Sequence, residues 1–290
     1  MLVETHSLKP YRQRVLGTYV LIEESLRLMA SDGGRVTAAM ASDRTSRPRT
    51  EVLTWKAAPR PLYVIPDFKG VAYQRYRSVA SGGNEVRWLG RPLTQRMPVL
   101  GQVADKVVTL PAAWWVPATK PDVIALLKLH GVEFETLAQP RTVALDMVRI
   151  VAPKLGGANE GHIPLTAAAY VHAARRETFP PGSVRVPSAQ PLGLLAAAML
   201  EPESPDSLLA WNFFTEILQR TEYIEGYAIA PLAERMLAAD PKLRAEFQGK
   251  LRSDPKFAAD PDARLGWFYE RTPYYDERFL LYPVGRELKR

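Results

Sequence analysis

Residues 105–118 have the sequence DKVVTLPAAWWVPA, and this stretch predicts much of the fold. β-Branched and aromatic residues dominate it and prolines interrupt it, which is typical of short strands. Adjacent side chains of a strand point to opposite faces, so we expect Trp114 and Trp115 on the two faces of a sheet. At most one of them could form a ligand platform, and packing in the core is the favoured interpretation.

Similar segments on both sides extend this pattern over residues 35–190. They predict antiparallel strands and have the sequences RVTAAMAS (35–42), EVLTWKA (51–57), PLYVIPDF (61–68), NEVRWLG (84–90), RTVALDMVRIVAP (141–153) and GSVRVPS (182–188). One helix interrupts them after Lys120, with Pro121 in its first turn and Gly131 as its C-terminal cap. A further strand begins at Val132. Residues 35–190 are therefore expected to form a mostly β domain with at least one helix.

Helices are predicted after Gln190, and we expect residues 191–290 to form a helical C-terminal region that packs on the β domain. Helix starts are predicted at PLGLLAAAML (191–200) and SPDSLLAWNFFTEILQR (204–220). Asp-Pro pairs at Asp240, Asp254 and Asp260 predict helix boundaries. The aspartate caps a helix N-terminus, and the proline suits the first helical position.

The opening stretch MLVETHSLKPYRQRV (1–15) has a different character. Residues 1–5 predict a short strand that carries Glu4. Apolar residues at helical spacing predict a helix from about Arg14 to Met29, and the glycines of SDGG (31–34) are expected to end it. A strand, a loop and a helix are the last pieces of an α/β domain rather than a domain, so residues 1–34 are treated as a remnant. The predicted class is α+β.

Composition limits the possible functions. The chain has 290 residues, of which 47% are hydrophobic and 24% charged, and it contains no cysteine. Disulfides, thiolate metal sites and cysteine nucleophiles are thereby excluded. No apolar run is long enough for a membrane span, and the chain as written carries no export signal.

The net charge of +7 is unevenly distributed. Residues 1–100 hold 16 basic and 8 acidic residues, whereas residues 201–290 hold 13 basic and 16 acidic residues. A basic N-terminal part favours polyanions or acidic substrates, and a solvated basic face is the simpler alternative. No zinc knuckle, helix-turn-helix signature or RNA-binding aromatic motif supports a nucleic-acid partner.

The four histidines give weak signals for metal binding. HGVE at 130–133 formally matches an H-x-x-E pair, but Gly131 should end the helix between the two ligands, so a chance match is favoured. His162 and His172 have no second ligand at a useful spacing, and surface or capping roles are favoured for both. Only the opening segment, with Glu4 and His6, suggests catalysis.

The stretch LVETHSLKPYRQRVLGTYVLIEESL (2–26) resembles the last central strand, loop and helix of bacterial zinc metallocarboxypeptidases of the carboxypeptidase A-like family. Three later stretches resemble the long C-terminal extension of one bacterial branch of that family: WWVPATKPDVIALLKLHGVEFETL (114–137), RVPSAQPLGLLAAAMLEPESPDSLLAWNFF (185–214) and YDERFLLYPVGR (275–286). The resemblance extends over nearly the whole chain.

This resemblance implies that Glu4 is the general base and later the general acid that acts on a zinc-activated water. It also implies zinc as the cofactor of the full-length proteins and a peptide or protein as their substrate. The zinc ligands of that family precede the catalytic glutamate, and only three residues precede Glu4 here. We therefore expect a C-terminal portion that holds no zinc and has no peptidase activity alone. The alternative is a non-catalytic module whose β domain binds a peptide, a glycan or a partner protein. Compartment and oligomeric state stay open.

Overall fold

The computed structural model describes residues 3–5, 9–220 and 223–289. Its helices are α1 (Tyr11–Thr45), α2 (Pro121–Leu129), α3 (Gly193–Leu200), α4 (Gly226–Ala239), α5 (Pro241–Ser253), α6 (Pro255–Ala259) and α7 (Pro261–Tyr269), with a 3-10 helix at Thr215–Leu218. Its strands are β1 (Thr50–Ala57), β2 (Tyr63–Arg77), β3 (Asn84–Val99), β4 (Gln102–Thr109), β5 (Ala113–Val116), β6 (Glu135–Thr136), β7 (Arg141–Val151), β8 (Lys154–Leu155), β9 (Leu165–Thr166), β10 (Ala169–Phe179), β11 (Val184–Pro187) and β12 (Leu281–Glu287). The predicted α+β class, with antiparallel strands and a helical C-terminal region, is confirmed.

A six-stranded antiparallel sheet forms the centre of the fold, in the order β10-β7-β12-β5-β11-β6. Strand β12 comes from the end of the chain and lies between β5 and β7, which are far from it in sequence. Strand β10 pairs with β7 from Ala169 opposite Val151 to Phe179 opposite Arg141. The sequence analysis did not predict β10, because most of its side chains are exposed and show no apolar alternation.

Trp114 and Trp115 lie on opposite faces of this sheet, as predicted, and both are fully buried. Trp114 belongs to the main core, which α2 and α3 cover through side chains such as Val123 and Leu200. Trp115 packs in a smaller cluster on the other face, against Phe179 at a ring-centroid distance of 5.3 Å. The sheet is therefore apolar on both faces.

Helices α4 to α7 have a core of their own, centred on Phe247. The predicted Asp-Pro boundaries are confirmed at all three positions: Asp240, Asp254 and Asp260 each accept hydrogen bonds from backbone amides in the first turn that follows. The predicted helix over residues 204–220 is wrong apart from the short 3-10 helix, because the segment folds into turns. The Ser207 hydroxyl accepts a bond from the Ala210 amide, and Asn212 adopts a φ of 70°.

Helix α1 is longer than predicted. It continues through Gly33 and Gly34 to Thr45, so the predicted end at SDGG and the predicted strand over residues 35–42 are both wrong. Each glycine costs a helix about 1 kcal/mol relative to alanine, and the alanine, arginine and methionine residues on both sides offset that cost. None of its residues, all of which are described, is buried. No helix of the described residues is long and apolar enough to cross a membrane.

Strands β2 and β3 form a long antiparallel ribbon, and β1 pairs with β4 next to it. The ribbon is described throughout, and none of its residues is buried. Its distal half, residues 73–77 and 84–88, pairs without a bulge from Tyr73 opposite Trp88 to Arg77 opposite Asn84. Within the described parts of the chain, no third strand joins this two-stranded sheet.

Candidate functional site

Glu4, the candidate catalytic residue, is exposed. Residues 3–5 belong to neither a helix nor a strand, so the predicted strand is wrong for them. Met1 and Leu2 of the predicted strand, and His6 of the same segment, lie outside the described residues. An isolated short segment has no backbone partners with which to form a sheet, which explains the lack of a strand.

Helix α1 follows Glu4 and presents apolar side chains on several sides. Nine of these side chains between residues 15 and 29 are more than a third exposed: Val15, Leu16, Tyr19, Val20, Leu21, Ile22, Leu26, Leu28 and Met29. A cluster of exposed large apolar side chains is typical of a surface that contacts another protein. The exposed apolar surface of α1 is therefore suited to contact with another protein or domain.

The described residues do not fit a zinc site. They contain no group of three histidine, cysteine, aspartate or glutamate side chains that could hold a metal ion. In HGVE, Gly131 has a φ of 76° and terminates α2, and Val132 is buried between the two formal ligands. His162 packs its ring against Trp211 at a centroid distance of 4.9 Å. No step that passes through zinc can be assigned to these residues.

The structure instead brings together a charged network that the sequence did not predict. Arg286 on β12 donates to Glu201 Oε1 at 3.0 Å, to Asp146 Oδ2 at 2.7 Å and to the carbonyl of Thr109 at 2.8 Å. Glu201 lies just after α3 and also accepts from Trp114 Nε1 at 2.9 Å. The side chains of Arg286 and Glu201 are 8% and 2% exposed. The network joins α3, β4, β5, β7 and β12.

His172 extends this network to the surface. Its Nδ1 lies 2.8 Å from Asp146 Oδ2, and its Nε2 lies 3.6 Å from Glu203 Oε1. Glu203 also pairs with Lys106, whose ammonium lies over the ring of Tyr170. The predicted surface position is confirmed, since the side chain is 38% exposed, and the imidazole is in contact with two carboxylates.

Burial changes the pKa values of the ionisable side chains in and beside the network. Burial raises the pKa of the Glu201 carboxyl, and Arg286 opposes this rise. Burial also raises the pKa of Tyr282, whose hydroxyl donates to the carbonyl of Leu200. The partners of Glu201 and Arg286 are indole, carboxyl and carbonyl groups on separate elements, so their arrangement holds these elements together.

A cavity of about 430 Å³ lies on the face of the sheet opposite to Trp114, between β10, β12 and the 3-10 helix. Met147, Phe179 and Leu281 provide apolar lining, and charged side chains lie at its rim. Of these, Glu177 pairs with Arg278 at 2.6 Å, and Glu216 pairs with Lys120 at 3.1 Å. Because these four charged side chains form ion pairs with one another, they are poorly suited to bind a charged ligand.

Sequence reasoning missed the network because its members are far apart in the chain. Asp146 is a single charge within the apolar run VALDMV, and this is the one signal in the sequence that pointed to buried pairing. Comparison of the chain with protein-family models, with curated proteins and with solved structures found no match.

Proposed function

We propose that this chain is the C-terminal portion of a zinc metallocarboxypeptidase-like protein. In this proposal Glu4 is the general base of a zinc site whose ligands are supplied by another part of that protein. The chain alone then does not hydrolyse peptides. The resemblance of residues 2–26 to the strand, loop and helix around the catalytic glutamate motivates the proposal.

The exposed apolar surface of α1 is the observation that carries the proposal. Leu26 is 66% exposed and Tyr19 is 64% exposed, although both side chains favour burial. A helix that packs against a peptidase sheet would have such a surface. Glu4 precedes this helix and is exposed, so its carboxylate is accessible to the part of the protein that would supply the zinc ligands.

The first test is the transcript sequence upstream of the Met1 codon. An open frame that encodes an H-x-x-E pair and a later histidine supports the proposal, and a stop codon directly upstream overturns it. The polypeptide of the extended frame is then assayed for release of C-terminal residues from a chromogenic dipeptide, with and without a zinc chelator. Glu4→Gln should lower kcat by about 10²- to 10⁴-fold, the usual contribution of a general base.

The matched control is Glu24→Gln, which removes an exposed carboxylate of α1. It should leave the activity unchanged. Equal activity of the Glu4→Gln variant and the unsubstituted protein would contradict the role of Glu4. Chelator-sensitive release by the present chain alone would contradict its inactivity.

A non-catalytic binding module is the second candidate, and the β2–β3 ribbon favours it. The ribbon, residues 63–99, has six basic and two acidic residues. None of its six basic side chains forms an ion pair with a described carboxylate: Lys69, Arg75, Arg77, Arg87, Arg91 and Arg96. Cations left without partners on an exposed surface attract anionic ligands.

A further inference from the structure

One face of the distal ribbon combines aromatic rings with unpaired cations. Because pairing over residues 73–77 and 84–88 has no bulge, alternate side chains share a face. Tyr73, Arg75 and Arg77 lie on the same face as Trp88, and we call this set the Tyr-Trp face. Tyr73 and Trp88 contact edge to face at a centroid distance of 5.8 Å, and Arg75 lies over the Tyr73 ring at 5.9 Å.

The opposite face differs in its charge. It carries Glu85 together with Tyr76 and Arg87, whose guanidinium lies 4.4 Å from the Tyr76 ring centroid. The Tyr-Trp face has no carboxylate among its paired side chains. Tyr73 is 45% exposed and Trp88 is 52% exposed, so the rings remain accessible. This face is therefore the more favourable anion site of the two.

We propose that the Tyr-Trp face and the free edge of β2 beside it bind an extended acidic peptide. The α-carbons of Arg75 and Arg77 are about 6.6 Å apart in a strand, which matches the spacing of alternate carboxylates in an extended peptide. The peptide adds a strand to the open edge of β2, where the described residues supply no third strand. Its alternate carboxylates pair with the two guanidinium groups.

The open strand edge decides between a peptide and a nucleic acid. Unpaired backbone N–H and C=O groups at an edge are satisfied by another polypeptide strand. A polynucleotide could stack on Tyr73 and Trp88, but it cannot continue the backbone ladder. The edge at residues 73–77 contains no proline, which would remove a backbone donor from the ladder.

The test is fluorescence anisotropy with the full chain and a labelled peptide in which glutamate alternates with threonine. A peptide with glutamine at each glutamate position should bind at least tenfold more weakly. A peptide with every backbone amide methylated keeps its charge and should lose binding, because neither of its edges can donate hydrogen bonds to β2. Binding should weaken as the ionic strength rises from about 0.05 to about 0.5 M.

R75Q/R77Q should also bind the acidic peptide at least tenfold more weakly. R235Q/R252Q removes two exposed arginines of α4 and α5 and should bind it as the unsubstituted chain does. Circular dichroism checks that both double variants keep their secondary structure. Equal loss in both would indicate a general charge effect and overturn the proposal.

Tighter binding of oligothymidylate than of the acidic peptide would also overturn the proposal, as would full binding of the methylated peptide. All titrations are made without zinc. The result is therefore independent of the role proposed for Glu4, and either proposal can fail without the other.

Discussion

Replacement of Arg286 by methionine is expected to destabilise the central sheet strongly. The guanidinium makes three hydrogen bonds, to Glu201, Asp146 and the Thr109 carbonyl, and its side chain is 8% exposed. Methionine fills similar space but cannot compensate the Glu201 carboxylate, which stays buried at 2% exposure. The loss therefore includes the cost of a buried charge without a partner.

The magnitude follows from that unpaired charge. Removal of one partner from a buried ion pair costs about 3–5 kcal/mol in the free energy of unfolding. The separate free-energy costs of losing three hydrogen bonds to charged groups would sum to more, but such costs are not additive within one network. With a urea m-value of about 2–3 kcal/mol/M, the midpoint of unfolding should fall by about 1–2.5 M.

The assay is urea unfolding followed by tryptophan fluorescence, because Trp114 and Trp115 are both in the core of the sheet. R176M is the matched control: Arg176 also lies in the sheet, on β10, but its side chain is exposed. It should change the free energy of unfolding by less than about 0.5 kcal/mol. The double variant E201Q/R286M removes both charges and should recover part of the loss, since the glutamine can still accept from Trp114.

The effect of R286M should depend on pH in a defined direction. Burial raises the pKa of Glu201, and loss of Arg286 removes the charge that opposes this rise. When a carboxyl has a higher pKa in the folded state, the folded state retains its proton over a pH range in which the unfolded state has lost it. Stability then falls as pH rises through that range. The difference between R286M and the unsubstituted protein should therefore be smaller in mild acid than at pH above neutral.

The role assigned to the Glu201–Arg286 pair is refuted if R286M loses less than about 1 kcal/mol in the free energy of unfolding, well below the cost of breaking a buried pair. It is also refuted if E201Q/R286M is as unstable as R286M, because the unpaired carboxylate would then contribute nothing. If the stability difference between R286M and the unsubstituted protein is larger in acid than above neutral pH, the direction assigned to the Glu201 pKa shift is wrong.

Two further substitutions test local features of the fold. G193A should destabilise the start of α3, because a Cβ there would overlap the carbonyl oxygen of Ser188. The control is G249A in α5, where an added Cβ meets nothing within 4 Å. Thermal unfolding should show that G249A stabilises the protein by about 0.5–1 kcal/mol. D240A removes the carboxylate that accepts hydrogen bonds from the Lys242 and Leu243 amides. It should lower the free energy of unfolding by about 1 kcal/mol and speed hydrogen exchange in α5. E246A leaves that cap intact and should not speed exchange there; no difference between these two variants would count against the capping role.

Local chemistry made part of this fold predictable. The Asp-Pro boundaries and the cap at Gly131 depend on neighbouring residues alone, so the sequence was sufficient to predict them. The opposite directions of Trp114 and Trp115 follow from the geometry of any strand. The α+β class follows from the change in apolar periodicity along the chain.

Competition between neighbouring residues and tertiary context determined what could not be predicted. Helix α1 passes through Gly33 and Gly34 because good helix formers on both sides outweigh them, and the residues of SDGG alone favoured an end there. Strand β10 lacks an apolar face of its own and is held by its pairing with β7. For the candidate sites, the sequence identified Glu4 as a residue of interest but could not predict that Arg286 and Glu201 meet.

The position of β12 has a consequence for synthesis on the ribosome. Strand β12 fills the gap between β5 and β7, so residues 281–287 must be made before these two strands gain their central neighbour. Until then the nascent chain exposes two apolar strand edges, which are sites of aggregation. Pairing between segments so distant in sequence gives a high contact order, which predicts slow folding. Deletion of residues 281–287 would therefore remove a central strand of the sheet and the Arg286 that anchors it.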